Sequence, residues 1–341
     1  MKQATRNSWL AAAGAGALLA AATLWSNRRG TYNLHGRVVL ITGGSRGLGL
    51  ILARQAVAEG AKVAICARDA DELERARQEL SQDGAEVLTL VRDLTNADDV
   101  QTMVAEVQQQ LGAIDVLINN AGIITAGPLD NIELRDYHDS MDTHFWAPLH
   151  AMQAVLPAMR RRGEGRIVNI ASVGGKVAVP HLAPYCASKF ALVGLSESFR
   201  SELLEHGIQV TTVCPGLMRT GSARHAIVKG QHKKEYAAFI IADSLPMLSM
   251  DADAAGRQIW NACRRGDAEV ILSVPAKALS AFHGLFPGTT ADILSWVNRS
   301  LPNPGGPLGD ERRRGAESES ELSRSWLTTL TRKAEVRNNE R

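Results

Sequence analysis

The chain has 341 residues, with 38 Lys and Arg against 36 Asp and Glu, a formal charge of +2. So slight an imbalance, with no basic stripe interleaved with aromatic residues, argues against nucleic acid as a partner. The four cysteines, Cys66, Cys186, Cys214 and Cys263, form no Cys-x-x-Cys pair or Cys/His cluster. That argues against a disulfide framework or a metal centre and fits free thiols in a reducing compartment.

Residues 9–25 carry no charge, begin and end on tryptophan, and lie between Lys2 and Arg6 on one side and Arg28 and Arg29 on the other. Seventeen residues at about 1.5 Å each are short for a hydrocarbon core of about 30 Å, although indoles favour both membrane interfaces. The two readings are a membrane anchor over residues 1–33 and a cleaved export signal.

Residues 37–42 read Arg-Val-Val-Leu-Ile-Thr, an apolar β-branched run suited to a buried parallel strand. Gly43, Gly44, Ser45, Arg46, Gly47, Leu48 and Gly49 follow at once, then a helical stretch stopped by Gly60. A strand, a glycine loop and a helix N-terminus let backbone approach a pyrophosphate and offer it free N–H groups. The spacing Gly-x-x-x-Gly-x-Gly departs from the general dinucleotide fingerprint. The second strand, 61–66, ends in Ala67-Arg68, with no acid at the strand end to meet a ribose 2′-hydroxyl. Arg46 and Arg68 favour a 2′-phosphate, hence NADP(H) with NAD(H) as the lesser choice. The competing assignment leaves both arginines solvated and puts Asp69 on the ribose.

Further strands are expected at 86–91, 114–118, 166–171, 208–213 and 269–273. The whole is a single α/β domain of Rossmann type, with seven parallel strands and helices on both faces. Tyr185 and Lys189 stand at i and i+4, on one face of a helix and 13 residues after Ser172. A phenol with an unperturbed pKa of about 10 needs a neighbouring cation to exchange protons at neutral pH.

Taken with Asp93-Leu94, Asn119-Asn120-Ala121-Gly122, the 166–172 run ending at Ser172, and Pro215-Gly216 before Thr220, the chain resembles the short-chain dehydrogenase/reductase family. The likeness is to its single-domain Thr-Gly-x-x-x-Gly-x-Gly and Tyr-x-x-x-Lys branch, and it covers residues 34–275. It implies Tyr185 as general acid/base, Ser172 holding the substrate oxygen, and Lys189 on the nicotinamide ribose lowering the tyrosine pKa. It further implies cofactor contacts from the glycine loop, Asp93, Leu94, Asn120, Ala121, Gly122, Pro215, Gly216 and Thr220. A homodimer or homotetramer, through the helices carrying His144 and Tyr185, is implied as well. Where the family has Asn-x-x-Gly on its fourth helix, this chain has His144-Phe145-Trp146-Ala147. His144 either replaces that asparagine in a proton relay or is structural.

The expected activity is NADP(H)-dependent interconversion of a carbonyl and an alcohol. The small substrate is expected to be lipophilic, of steroid, retinoid or fatty-acyl type, on the strength of the apolar residues 237–242 and 245–248 and the N-terminal segment. Because that cofactor pool is kept inside the cell, the anchor is preferred to the export signal, with the catalytic domain cytoplasmic. An alternative of another class is a membrane-tethered NADP(H)-binding sensor or scaffold with impaired turnover; an epimerase or dehydratase is less favoured. Residues 276–301 predict two short amphipathic helices, and residues 302–341, rich in Pro, Gly, Ser, Arg and Glu, predict a largely disordered tail.

Overall fold

The computed structural model describes residues 32–82 and 84–341. The anchor expected over residues 9–25 lies outside them. Among the described residues no helix is long and apolar enough to cross a membrane.

Seven strands form one sheet: β1 (Val38–Thr42), β2 (Lys62–Ala67), β3 (Val87–Val91), β4 (Val116–Asn119), β5 (Gly165–Ile170), β6 (Ile208–Pro215) and β7 (Glu269–Leu272). Their order is β7-β6-β5-β4-β1-β2-β3, every pair parallel. The expected strands are therefore present, with boundaries moved by one or two residues. Burial on both faces explains their continuous apolar runs, since side chains alternate between two cores. Val39 and Ile41 join Leu50, Leu52 and Ala56 of α1 (Gly47–Ala58) and Ile259 and Trp260 of α8 (Ala252–Arg265). Val38 and Leu40 join Val100, Met103 and Val107 of α3 (Ala97–Gln110) and Met152, Val155 and Met159 of α5 (Ala147–Arg162). Helix α2 (Ala70–Leu80) begins at an Asp69 cap, whose side chain accepts the Glu72 N–H at 2.9 Å.

The strand order reverses between β1 and β4, which opens a crevice at the carboxyl ends of those strands. Helix α4 (Leu134–Met141) runs through a π-helical turn, Asp142–Trp146, into α5, and α6 (Ala183–Leu203) packs beside them. Helix α7 (His232–Ser244) covers one side of the crevice, with Tyr236 and Ile240 buried against Ala223, Ala226 and Val228.

The helices α9 (Val274–Leu285) and α10 (Pro287–Asn298) match the expected pair, separated at Phe286. The segment 302–341 differs from expectation. Arg313–Arg314 pairs with Ile227–Val228, and α11 (Thr329–Arg337) lies against α7, where Ser244 Oγ donates to Thr331 Oγ1 at 2.6 Å. Asn131 Nδ2 donates to Asp310 Oδ1 at 2.8 Å, and Arg312 pairs with Asp139 at 2.7 Å. The tail has too few apolar residues to drive its own folding, but its hydrogen bonds and ion pairs order it against a preformed surface.

Candidate active site

At the crevice, Thr42 joins the two strands that flank it. Its Oγ1 accepts the N–H groups of Asn120 at 2.9 Å and Ala121 at 3.1 Å, while Asn120 Nδ2 donates to the carbonyls of Thr42 and Gly43, both at 3.0 Å. The loop and the Asn-Asn-Ala-Gly turn touch so closely that a side-chain carbon on Gly43 would lie 2.8 Å from Ala121 Cα. One on Gly49 would lie 2.0 Å from the Gly43 carbonyl oxygen. This is a backbone cradle at the N-terminus of α1, the geometry a pyrophosphate requires, so the residues present fit a dinucleotide.

The other residues expected to contact the cofactor lie in the glycine loop or just past the carboxyl ends of strands. Ser45 Oγ donates to Glu72 at 3.0 Å and Arg46 Nη1 reaches the same carboxylate at 2.6 Å. Leu48 is buried in the core that supports the loop. Arg68 is exposed at the end of β2, and Asp69 is engaged as the α2 cap. Asp93 Oδ1 accepts from the Thr95 amide and hydroxyl at 3.0 and 2.8 Å, beside buried Leu94. Pro215 ends β6, and a carbon on Gly216 would stand 2.8 Å from Ser273 Oγ and 3.1 Å from Ala276, so the start of α9 lies beside this turn. Thr220 is buried, and its Oγ1 accepts the Ser222 N–H at 3.2 Å.

Ser172 follows β5, and its Oγ accepts the Gly174 N–H at 3.0 Å. Helix α6 carries Tyr185 and Lys189 on one face, with Nζ 5.7 Å from the phenol ring centroid. Burial pushes the Tyr185 phenol up to about 12, against a smaller lowering influence from nearby Ser172. Burial also pulls Lys189 down to about 7, and its Nζ donates to Ile170 O at 2.9 Å. The expected lowering of the phenol by the lysine is not found in this state, because desolvation governs both groups.

His144 sits within the π-helical turn, wholly enclosed. Its Nε2 accepts the Ile123 N–H at 3.1 Å, and its Nδ1 lies 2.8 Å from Ser188 Oγ. Ser188 Oγ gives its own proton to Tyr185 O at 2.8 Å, so Nδ1 carries the imidazole proton and donates. Both ring nitrogens are thereby committed, and burial, helped by the Lys189 charge, holds the pKa well below the ordinary value. The ring meets Tyr185 edge to face, 5.5 Å between centroids.

Several supports had not been singled out from the sequence. Asn119 Nδ2 donates to Asn169 Oδ1, and Asn169 Nδ2 to Ser196 Oγ, each at 2.8 Å, a buried polar chain tying β4 to β5 and α6. Asn119 and Asn169 lay inside the motif runs, and their signal was a polar residue within an apolar strand. Nothing pointed to residues 338–340, which reach the glycine loop. Gly47 N–H donates to Asn338 O at 2.9 Å, Asn339 Nδ2 donates to Ser45 O at 2.8 Å, and Glu340 Oε2 lies 3.4 Å from Arg46 Nε.

The model of the short chain dehydrogenase family matches residues 37–229. A gluconate 5-dehydrogenase of Gluconobacter oxydans is 39% identical over 189 residues, 55% of this chain and 74% of that protein. A bovine (Bos taurus) dehydrogenase/reductase SDR family member 7B is 31% identical over 251 residues, 72% of this chain and 76% of that protein. The crystal structure of a gluconate 5-dehydrogenase from Burkholderia cenocepacia, in complex with NADP and tartrate, superposes with a TM-score of 0.64 at 28% identity, covering 73% of this chain and 98% of that one. An actinorhodin polyketide ketoreductase with NADPH superposes at 0.62 with 31% identity, covering 69% and 95%. Matched over more than half its length, with the family's loop and its Ser, Tyr and Lys on one fold, this chain belongs to the short-chain dehydrogenases, oxidoreductases that act on carbonyl and CH–OH groups.

Proposed function

We propose that the chain is an NADP(H)-dependent carbonyl reductase or alcohol dehydrogenase whose proton chemistry is carried by Tyr185, Ser172 and Lys189. The observation that carries this reading is the convergence of Ser172 and Tyr185 on Gly174, where an added side-chain carbon would lie 3.4 Å from the serine Oγ and 3.2 Å from the phenol ring, with Lys189 one helical turn away, beside the crevice that opens at the glycine cradle. A nicotinamide bound there supplies the hydride in reduction and takes it in oxidation. Tyr185, protonated at neutral pH, gives its hydroxyl proton to the oxygen that becomes alkoxide, and takes it back in the reverse direction. Ser172 Oγ already accepts from Gly174 N–H, which leaves its own proton to orient the same oxygen. Lys189 uses one N–H on Ile170 O and keeps donors for a ribose. With both nitrogens committed, His144 holds the Asn-Asn-Ala-Gly turn against α6 and is a positioning residue rather than a relay.

Arg46 and Arg68, and the engagement of Asp69 as a helix cap, support NADP(H) over NAD(H). For a lipophilic substrate the support is the apolar rim: Leu245, Met247 and Leu248 are exposed, and α9–α10, rooted beside Gly216, presents Phe282, Leu285, Phe286, Ile293 and Trp296 to solvent. Membrane attachment through residues 9–25, with the catalytic domain on the cytoplasmic side, remains the sequence reading that goes with such a substrate. A dimer through α5 and α6 is supported by exposed Trp146 and Phe190 at those helices.

The test is oxidation of NADPH and NADH with a panel of lipophilic ketones and aldehydes. Tyr185→Phe should lower turnover about a hundred- to ten-thousandfold while leaving NADPH binding within about twofold. Tight NADPH binding by the wild type without turnover in either direction would instead favour the sensor.

A further inference from the structure

The phosphate-binding end of the cleft is contacted by the chain itself. Besides the Gly47–Asn338 bond, Asn338 Nδ2 donates to Thr220 O at 3.0 Å, so one residue ties the glycine loop to the Thr220 turn beside it. Asn339 Nδ2 donates to Ser45 O at 2.8 Å and Glu72 O at 3.0 Å, and its Oδ1 accepts from Arg75 Nε at 2.7 Å. The Glu340 carboxylate stands where a side-chain carbon on Gly47 would be 2.6 Å from its Oε1, between Arg46 Nε at 3.4 Å and His225 Nε2 at 3.1 Å. A carboxylate at a helix N-terminus, beside a guanidinium and an imidazole, takes the position and the charge sign of a phosphate.

The way this segment is held marks it as displaceable. Its buried side chains are polar: Thr331, Glu335, Asn338 and Glu340. Of its larger apolar ones, Leu327 is half-buried and Trp326, Leu330 and Val336 are exposed. A permanently docked helix shows the reverse pattern, with its apolar stripe inward. Glu340 Oε2 is buried within ion-pair reach of Arg46 and His225 yet lacks a well-directed hydrogen bond. Asn339 adopts a left-handed backbone, φ 58°, which asparagine tolerates at modest cost.

We propose that residues 338–341, carried by α11, are an autoinhibitory occupant of the cofactor cleft, and that NADP(H) and this segment hold the glycine loop in turn. The inference rests on the cofactor reading above. The Asn338 carbonyl on the Gly47 amide and the Glu340 carboxylate beside the Arg46 guanidinium cannot share those groups with a nucleotide phosphate, so cofactor binding requires the segment to leave. The apparent affinity is then the intrinsic one reduced by the fraction of molecules with the segment released.

The experiment compares the full chain with an Asn339→Ala/Glu340→Ala double variant, neither position belonging to the proposed catalytic groups. NADPH affinity is read from nucleotide fluorescence, and hydrogen exchange is followed over residues 43–50 and 329–341. The variant should bind NADPH at least about tenfold more tightly, corresponding to a segment docked in about nine molecules of ten. In the full chain, NADPH should slow exchange at 43–50 and speed it at 329–341. Equal affinities, or exchange at 329–341 that NADPH leaves unchanged, would overturn the proposal while leaving the cofactor reading intact. If neither protein bound NADPH or NADH, the cofactor reading would fall and the competition with it.

Discussion

Tyr185 and Lys189 are both driven towards their uncharged forms by burial, the phenol up to about 12 and the amine down to about 7. The lysine carries a stability consequence whose sign is fixed. An unfolded chain keeps this proton up to the ordinary value of 10.5, while the folded chain releases it near 7. Between those values the unfolded state binds more protons, so this group makes folding more favourable as pH rises from 7 towards 10. Lys189→Met removes that dependence. Its melting temperature should exceed that of the wild type most at and below pH 7, with the difference shrinking towards pH 10; a difference constant across this range would contradict the assignment. His144 follows the same rule at lower pH: its imidazole is buried neutral and used at both nitrogens, so the stability it contributes is present above the ordinary value of 6.5 and is lost as pH falls below it.

Among the elements, α4 is tied to the loop before α7 by charge. Lys229 Nζ lies 3.0 Å from Glu133 and 3.1 Å from Asp136, and Lys229 and Asp136 are wholly buried. Removing Lys229 leaves the buried Asp136 carboxylate with the Glu133 N–H at 3.0 Å and Arg312 Nε at 3.6 Å. Lys229→Met should cost about 3 kcal/mol in urea denaturation, and adding Asp136→Leu should recover most of it, because a well-packed apolar pair often matches a buried ion pair. Recovery of none of the loss would show that the charges themselves hold the segment. Arg224 pairs with Glu319 at 3.3 Å and His225 with Glu340. What was legible was what rests on local pattern: apolar runs for β1 to β7, the glycine loop, the i and i+4 spacing of Tyr185 and Lys189, and the break between α9 and α10. Long-range polar pairing is invisible to such patterns. The π-helical turn at His144 therefore read as ordinary helix, and the 302–341 segment, held by ion pairs and amides, as largely disordered.

For the molecule as a whole, Trp146 and Phe190 put apolar surface on the two helices proposed to meet in a dimer. Replacing both with glutamate should convert a dimer to monomer in analytical ultracentrifugation while leaving the melting temperature within a few degrees. Unchanged mass would place the interface elsewhere. The Tyr32 ring is covered by the guanidiniums of Arg37 at 4.9 Å and Arg166 at 4.5 Å, just before β1 and at the start of β5. Ser172 and the glycine loop lie at the other ends of those same strands, about 17 Å away for five residues of strand. Tyr32 therefore works as a mooring point on the pole opposite the cleft.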